Sequence, residues 1–352
     1  MIVAAIAAIA DGRDLSRAEA REVMGAVMRG EATPAQIGGR LVGLRTKGET
    51  VDEITGFAEA MREHVLPVTP TRTPIVDVVG TGGDGARTFN ISTAAAVVAA
   101  AAGAAVAKHG NRAASSACGS ADVLEELGLA LELPPERIAA SIDEHGFGFM
   151  FARAHHPAMR HAAAVRQELG TRTVFNVLGP LANPAGARDG VFGVYAPDLA
   201  RTYAEALAGL GASRALVVHG TGGIDELTPS GPNLVVEVVD GEVTELELDP
   251  RDLGMEPSDP TELRGGTPAE NAAAIRRVLE GERGPKRDAV VLNAAGALMT
   301  AGVVPDLADG VAVASSALDS GEAGATLERL VAFSNAVPVC WAGSRTPFAS
   351  RA

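Results

Sequence analysis

The sequence predicts an α/β protein in two parts: a small all-helical N-terminal domain and a larger α/β domain with a mostly parallel central sheet. Three observations carry the prediction. Residues 1 to about 70 show helix-start signals and no strand-like run. From Ile75 onward, short apolar runs alternate with longer helical stretches, the pattern of a layered fold with a parallel sheet. Glycine clusters follow several of those runs directly, at the strand ends where open α/β sheets place their ligands.

In the helical part, Ser16-x-x-Glu19, Thr33-x-x-Gln36 and Thr50-x-x-Glu53 are capping boxes, each able to satisfy two orphan amide donors at a helix start. Pro34 sits at a first helical position, where its missing N–H costs nothing. Gly30 and Gly48 fall where the preceding helices should stop. Val65 to Pro74, with three prolines, reads as a linker.

Beyond the linker, Ile75–Val79, Ala105–Ala107, Val191–Tyr195, Ala215–Val218 and Ala289–Leu292 are apolar with little alternation, as parallel strands buried on both faces require. Asp122–Gly128, Asp198–Leu210 and Thr267–Glu282 read as helices, and the Ala-rich run Ala94–Ala107 as a buried helix leading into a strand. Leu234–Leu248 with Asp240-Gly241 at its middle predicts a hairpin that adds antiparallel strand at the sheet edge.

Composition narrows the function classes. A length of 352 residues suggests roughly two domains at ~150 residues each. Apolar residues at 47% and charged residues at 21% point to a sizeable core rather than disorder. A formal charge of -14 repels a polyphosphate backbone, so nucleic-acid binding is not expected. Two cysteines, Cys118 and Cys340, exclude a disulfide framework. Ile2–Ala10 is apolar but too short to span a bilayer and lacks the basic start of a signal peptide. A soluble cytoplasmic protein without membrane partners is expected.

The 41 glycines are partly concentrated in three clusters. Gly80-Thr-Gly-Gly-Asp-Gly85 follows a predicted strand, and its backbone amides can close around an oxyanion; a tight turn is the plain alternative. It matches neither a Walker A loop nor the dinucleotide spacing. Asn90-Ile-Ser-Thr93 then opens the Ala-rich helix, with Ser92 or Thr93 expected at its cap, offering free N–H donors to phosphate. The second cluster, Lys108 to Ser120, packs two cations, an imidazole, an amide and several hydroxyls among small residues, more donors than a turn needs. Cys118 within it reads as a small buried thiol rather than a nucleophile. The third, His219 to Glu226, sets two adjacent carboxylates at a strand end. Mg²⁺ takes one or two carboxylates and fills its shell with water and phosphate oxygens, so the set suggests a magnesium-bound phosphate ester. Helix-start acids or a surface turn remain the alternative for Asp225-Glu226. His155, His156 and His161 lack the partners of a closed zinc site.

Together these segments resemble the anthranilate phosphoribosyltransferase family of tryptophan biosynthesis. The resemblance rests on GTGGDGARTFNIST at 80–93, KHGNRAASSACGSADVLEELG at 108–128, HHPAMRHAAAVRQELGTRTVFNVLGPLANP at 155–184 and GIDELTPSG at 223–231, in order and spacing across about residues 1–345. It implies a helical domain at 1–72, completed by a return segment near 165–185, an α/β domain at 73–352, a cleft site between them, and a homodimer formed through the helical domain. The implied substrates are phosphoribosyl pyrophosphate and anthranilate.

Carried onto this chain, the resemblance makes Gly80, Gly83, Asp84, Thr88, Asn90, Ser92, Thr93, Lys108, Ser116 and Ser120 phosphoribosyl pyrophosphate contacts. Lys108 is the electrostatic catalytic group for the leaving pyrophosphate, with no covalent or acid–base residue. Ser92, Asp225 and Glu226 become Mg²⁺ ligands, and Gly80, Asn111 and Arg166 anthranilate contacts. A guanidinium at 166 can pair with the anthranilate carboxylate. The chain departs from the family's usual residues at Ala117, often Lys or Arg, and at Arg153, usually proline. The rival readings are a pyrimidine nucleoside phosphorylase-like enzyme and a nucleic-acid-binding relative of the same fold; the loop at 108–112 with Asp225-Glu226 speaks against the first and the acidic charge against the second.

Overall fold

The computed structural model describes residues 1–113 and 117–336. Four helices open the chain: α1 (Ile2–Ala10), α2 (Arg17–Met28), α3 (Pro34–Lys47) and α4 (Val51–Glu63). All three predicted capping boxes are formed, each side chain accepting the third amide and the third residue reaching back to the cap. Each such cap stabilises its helix by ~1 kcal/mol. Glu53 extends its box into the domain core. Its carboxylate is fully buried and accepts from Leu15 N–H at 2.9 Å, Thr50 N–H at 2.9 Å and Lys47 Nζ at 3.0 Å. Glu53→Ala strands those donors and should cost roughly 3 kcal/mol of stability. Denaturant unfolding checks this, and an unchanged midpoint would show that the network contributes nothing.

The second part begins with β1 (Ile75–Gly80), α5 (Ile91–Ala101), β2 (Ala105–Gly110), α6 (Ser120–Glu126), α7 (Pro135–His145) and β3 (Phe147–Phe151). Three helices follow, α8 (Ala152–His155), α9 (Arg160–Leu169) and α10 (Phe175–Leu181), then β4 (Asp189–Gly193), α11 (Pro197–Gly209) and β5 (Arg214–His219). The hairpin β6 (Asn233–Val239) and β7 (Glu242–Leu248) precedes four closing helices, α12 (Pro268–Leu279), α13 (Pro285–Thr300), α14 (Leu307–Asp319) and α15 (Glu322–Asn335).

The strands form one sheet in the order β3-β2-β1-β4-β5-β6-β7. β1 to β5 are parallel, and β6 and β7 add the predicted antiparallel edge. Asp240 and Gly241 both take positive φ, as a two-residue hairpin turn demands. Alternate strand residues enter two different cores. Val78, Val191 and Leu216 pack with α5 and α13 on one face. Phe192, Ala215 and Val217 pack on the other with α11 and with Leu41 and Phe57 of the helical part. Burial on both faces is why these strands show no polar alternation. Val165, Phe175, Leu178 and Leu181 of α9 and α10 share that second core.

Three expectations are corrected. Ala289–Leu292 is not a strand but the middle of α13, buried all round. A helix apolar on every side loses the 3.6-residue signature that would identify it. β3, a fully buried Phe-Gly-Phe-Met-Phe run after the left-handed Gly146, was not anticipated. The cap of α5 is Asn90, with no side-chain cap bond, rather than Ser92 or Thr93. Among the described residues no helix is long and apolar enough to cross a membrane.

Candidate functional site

The strand order reverses at β1: the chain steps outward to β2 and β3 and returns to β4 on the other side. The crevice beyond the C-terminal ends of β1 and β4 is therefore the topological switch point, where such sheets bind ligands. Two glycines shape it. A Cβ on Gly80, ending β1, would strike the Asp225 carboxylate, and one on Gly193, ending β4, would overlap the Asp225 main-chain carbonyl. Only glycine lets the loop after β5 cross both strand ends so closely.

That crossing joins the first and third glycine clusters. Gly82 N–H donates to Asp225 Oδ2 at 2.6 Å, and Asp225 N–H to Asp84 Oδ2 at 3.4 Å. Ser92 N–H at the start of α5 donates to Glu226 Oε1 at 2.8 Å, and Thr88 Oγ1 lies 3.5 Å from Glu226 Oε2. A charged acceptor from another loop thus takes the helix-start amide that a hydroxyl cap was expected to take, favoured by the positive end of the helix. Asp225 and Glu226 are both buried. Burial, then the charge of Asp84, holds Asp225 above the usual carboxylate range; burial, then the charge of Asp225, does the same to Glu226.

Lys108 lies beneath this arrangement, 1% exposed. Its Nζ donates to Val78 O at 2.6 Å and to Ser92 Oγ at 3.4 Å, so it supports the loop from below instead of facing outward as its position in the second cluster suggested. Its charge offsets those of Asp77 and Glu226. Burial lowers its own pKa. The crowding of acidic groups over a single buried ammonium suits a divalent cation. Asp225, Glu226 and the Ser92 hydroxyl are the donors that could hold one, with substrate oxygens completing the shell. Among the described residues no cluster of three His, Cys, Asp or Glu could hold a metal unaided.

On the other side of Gly80 lies a cavity of about 670 Å³. Gly80, Asn111 and Arg166 all line it, together with His109, Phe175 and Gly179. Arg166 comes from α9 and sets its guanidinium over the Phe175 ring, 5.0 Å from the centroid. The rings of His109 and His156 are 5.0 Å apart, and both Nε2 atoms are buried without a hydrogen-bond partner. Burial pushes His156 down to about 4, so it is neutral at pH 7. His155 commits Nδ1 to Leu66 O at 2.9 Å. Arg153 also lines the cavity.

The remaining candidates separate. Gly83 is exposed with a φ of 81°. Asn90 bridges Cys118 O at 3.3 Å and Asn271 Nδ2 at 2.9 Å. The Thr93 hydroxyl is buried without a hydrogen-bond partner. Ser120 begins α6 and contacts Asn111 O at 3.4 Å. Ser116 lies outside the described residues. Arg112 is exposed and bonded to Asp122 and Glu125, away from the carboxylate pair. Burial pushes the Cys118 thiol up to about 11, which does not make a nucleophile. Sequence reasoning missed Asp77, Asn183 and Asn271. Each is a buried polar residue with at least one partner distant in the chain, and only Asn183-Pro184 stood out, as a turn signal.

A helical bundle joined to an α/β sheet with phosphate-type loops at its switch point is the architecture of a two-domain glycosyl transferase. The family model for the glycosyl transferase helical bundle domain matches residues 3–65, and that for the glycosyl transferase a/b domain matches residues 72–324. An anthranilate phosphoribosyltransferase of Moorella thermoacetica is 51% identical over 95% of this chain and 98% of its own length. The crystal structure of the Thermus thermophilus enzyme of that name has a TM-score of 0.90 at 53% identity, covering 94% of this chain and 99% of its own. The Saccharomyces cerevisiae enzyme in complex with PRPP and Mg has a TM-score of 0.86 at 27% identity, covering 95% and 97%. The chain belongs to the anthranilate phosphoribosyltransferase family. It is a glycosyltransferase-class enzyme of tryptophan biosynthesis, as the resemblance implied, and neither rival reading is favoured.

Proposed function

We propose that the site transfers the 5-phosphoribosyl group of phosphoribosyl pyrophosphate to the amine of anthranilate in an Mg²⁺-dependent reaction, giving N-(5-phosphoribosyl)anthranilate and pyrophosphate. One observation carries the assignment of the two substrates. Gly80 belongs both to the amide-rich loop at 80–93 and to the lining of a cavity that also holds a guanidinium set over an aromatic ring. The first suits a pyrophosphate and the second an aromatic carboxylate. Both meet at the end of β1, where C1 of the ribose would face the amine.

In this reading the amine is neutral at pH 7 and attacks C1 as the C1–O bond to pyrophosphate breaks. The nitrogen then loses a proton to water or to the departing pyrophosphate, and no acid–base residue is assigned. The chain's task is to hold the amine near C1 and stabilise the leaving charge. Gly83, Asp84, Thr88, Asn90, Ser92, Thr93 and Ser120 surround the phosphoribosyl pyrophosphate, with Lys108 acting through Ser92. Magnesium, when bound by Asp225, Glu226 and Ser92, would screen the charge of the leaving pyrophosphate. Loss of anthranilate fluorescence should require phosphoribosyl pyrophosphate and Mg²⁺ together. No loss with all components present would overturn the proposal.

Arg166→Ala should raise the anthranilate KM by roughly tenfold to a hundredfold, the equivalent of one hydrogen bond to a charged group. The KM for phosphoribosyl pyrophosphate should stay near wild type. An unaltered anthranilate KM would remove Arg166 from the carboxylate site.

The proposal includes a division near residue 72, with α9 and α10 counted in the helical domain, and a cytoplasmic homodimer joined through that domain. Val3 on α1 and Val42 on α3 support the dimer, being large apolar residues 68% and 46% exposed on neighbouring helices. Val3→Glu with Val42→Glu should yield monomers in sedimentation velocity. A wild-type chain already monomeric would refute this part.

A further inference from the structure

We propose that Asp77 and Asn183 form a clamp that sets the shape of the anthranilate cavity, making both positioning residues for the transfer. Asp77 sits in β1 and Asn183 just beyond α10, and they are 0% and 1% exposed. Asn183 Nδ2 donates to Asp77 Oδ2 at 2.8 Å and to Ala107 O at 2.8 Å, so one amide ties the α10 segment to both β1 and β2. Its Oδ1 accepts from Ala185 N–H at 2.8 Å. Asp77 also accepts from Val78 N–H at 2.8 Å and from His109 N–H at 3.3 Å.

The β1–β2 register is carried by Ile75↔Ala105 and Val76↔Val106, ahead of Asp77. Past that point side chains take main-chain groups of β2: the Asp77 carboxylate accepts from His109 N–H, and the Asn183 amide donates to Ala107 O. An aliphatic residue at 77 would leave the His109 N–H and one Asn183 hydrogen buried without this acceptor. The carboxylate also does more than continue the pairing. It holds the start of His109–Asn111, one cavity wall, against the segment that follows Gly179–Pro180, the facing wall. His109 Nδ1 and Gly179 O, 3.1 Å apart, make a second tie between the same walls. The loops at 80–93 are anchored separately, by Asp225 and Glu226. Loosening the clamp therefore changes the space for the acceptor and leaves the pyrophosphate anchors in place.

The inference rests on the cavity being the anthranilate site. Its test is steady-state kinetics of the full-length enzyme bearing Asn183→Ser or Asp77→Asn, beside Arg166→Ala, with folding verified by circular dichroism. Asn183→Ser is the cleaner variant, because Asp77→Asn also strips Lys108 of a counter-charge. Each should raise the anthranilate KM about tenfold, with the KM for phosphoribosyl pyrophosphate within about twofold of wild type. Equal changes in both KM values, or activity that follows only the folded fraction, would overturn the clamp. If Arg166→Ala raises the anthranilate KM and Asn183→Ser does not, the clamp alone falls. If neither does, the cavity assignment falls and the clamp with it.

Discussion

Lys108→Ala is expected to lower turnover by roughly two to three orders of magnitude, the effect of losing a preorganised electrostatic group worth ~3–4 kcal/mol in the transition state. The structure sets out how so large an effect arises from a residue that is almost wholly buried. The ammonium bonds Val78 O and Ser92 Oγ and balances the charges of Asp77 and Glu226. Its removal frees the Ser92 hydroxyl and leaves the Asp77 and Glu226 carboxylates without the opposing charge that lies between β1 and the loop after β5. A stability loss of about 3 kcal/mol should accompany the change. Turnover must therefore be measured on protein shown to be folded, and Lys108→Met, which keeps the volume, separates packing from charge. Near-normal turnover in folded Lys108→Ala would take the residue out of the mechanism.

The second large effect is expected from Asp225→Asn with Glu226→Gln. The double variant keeps the shape of the acidic pair and removes its charge, so the Mg²⁺ concentration for half-maximal activity should rise by about two orders of magnitude, the equivalent of ~3 kcal/mol of binding. Folding should not suffer. Both carboxyls are held above their ordinary range by burial and by neighbouring acids, so their ionised forms oppose the folded state at neutral pH. A carboxyl shifted upward contributes stability below its unfolded pKa and loses it as pH rises through the folded one. The neutral variant should accordingly melt no lower than wild type at pH 7. An unchanged Mg²⁺ titration would sink the ligand assignment; a lower melting temperature would show that Asp225 and Glu226 serve folding instead of the ion.

Much of the fold was legible because its signals are local. A capping box spans four residues, and all three in the helical part formed as written. The hairpin turn needs two residues, and Asp240-Gly241 supplied them. Ala289–Leu292 misled because an apolar run buried on every side reads alike in a strand and in a helix. The site divided in the same manner. Glycine clusters at strand ends marked where a ligand belongs. The likeness of 155–184 to a known family brought Arg166 forward, since arginine composition alone says little.

The residue pattern by itself determined the helix starts, the hairpin, the acidic balance and the three loops that surround the site. Tertiary structure alone decided what those loops do to one another. Ser92 gives its amide to Glu226, 134 positions away, and Gly82 to Asp225, 143 positions away. It also turned Lys108 inward and drew Asn183 against Asp77. The reason is physical. Caps and turns are satisfied within a few residues, whereas a buried charge must find its partner wherever the packed chain brings one, and no spacing along the sequence records that choice.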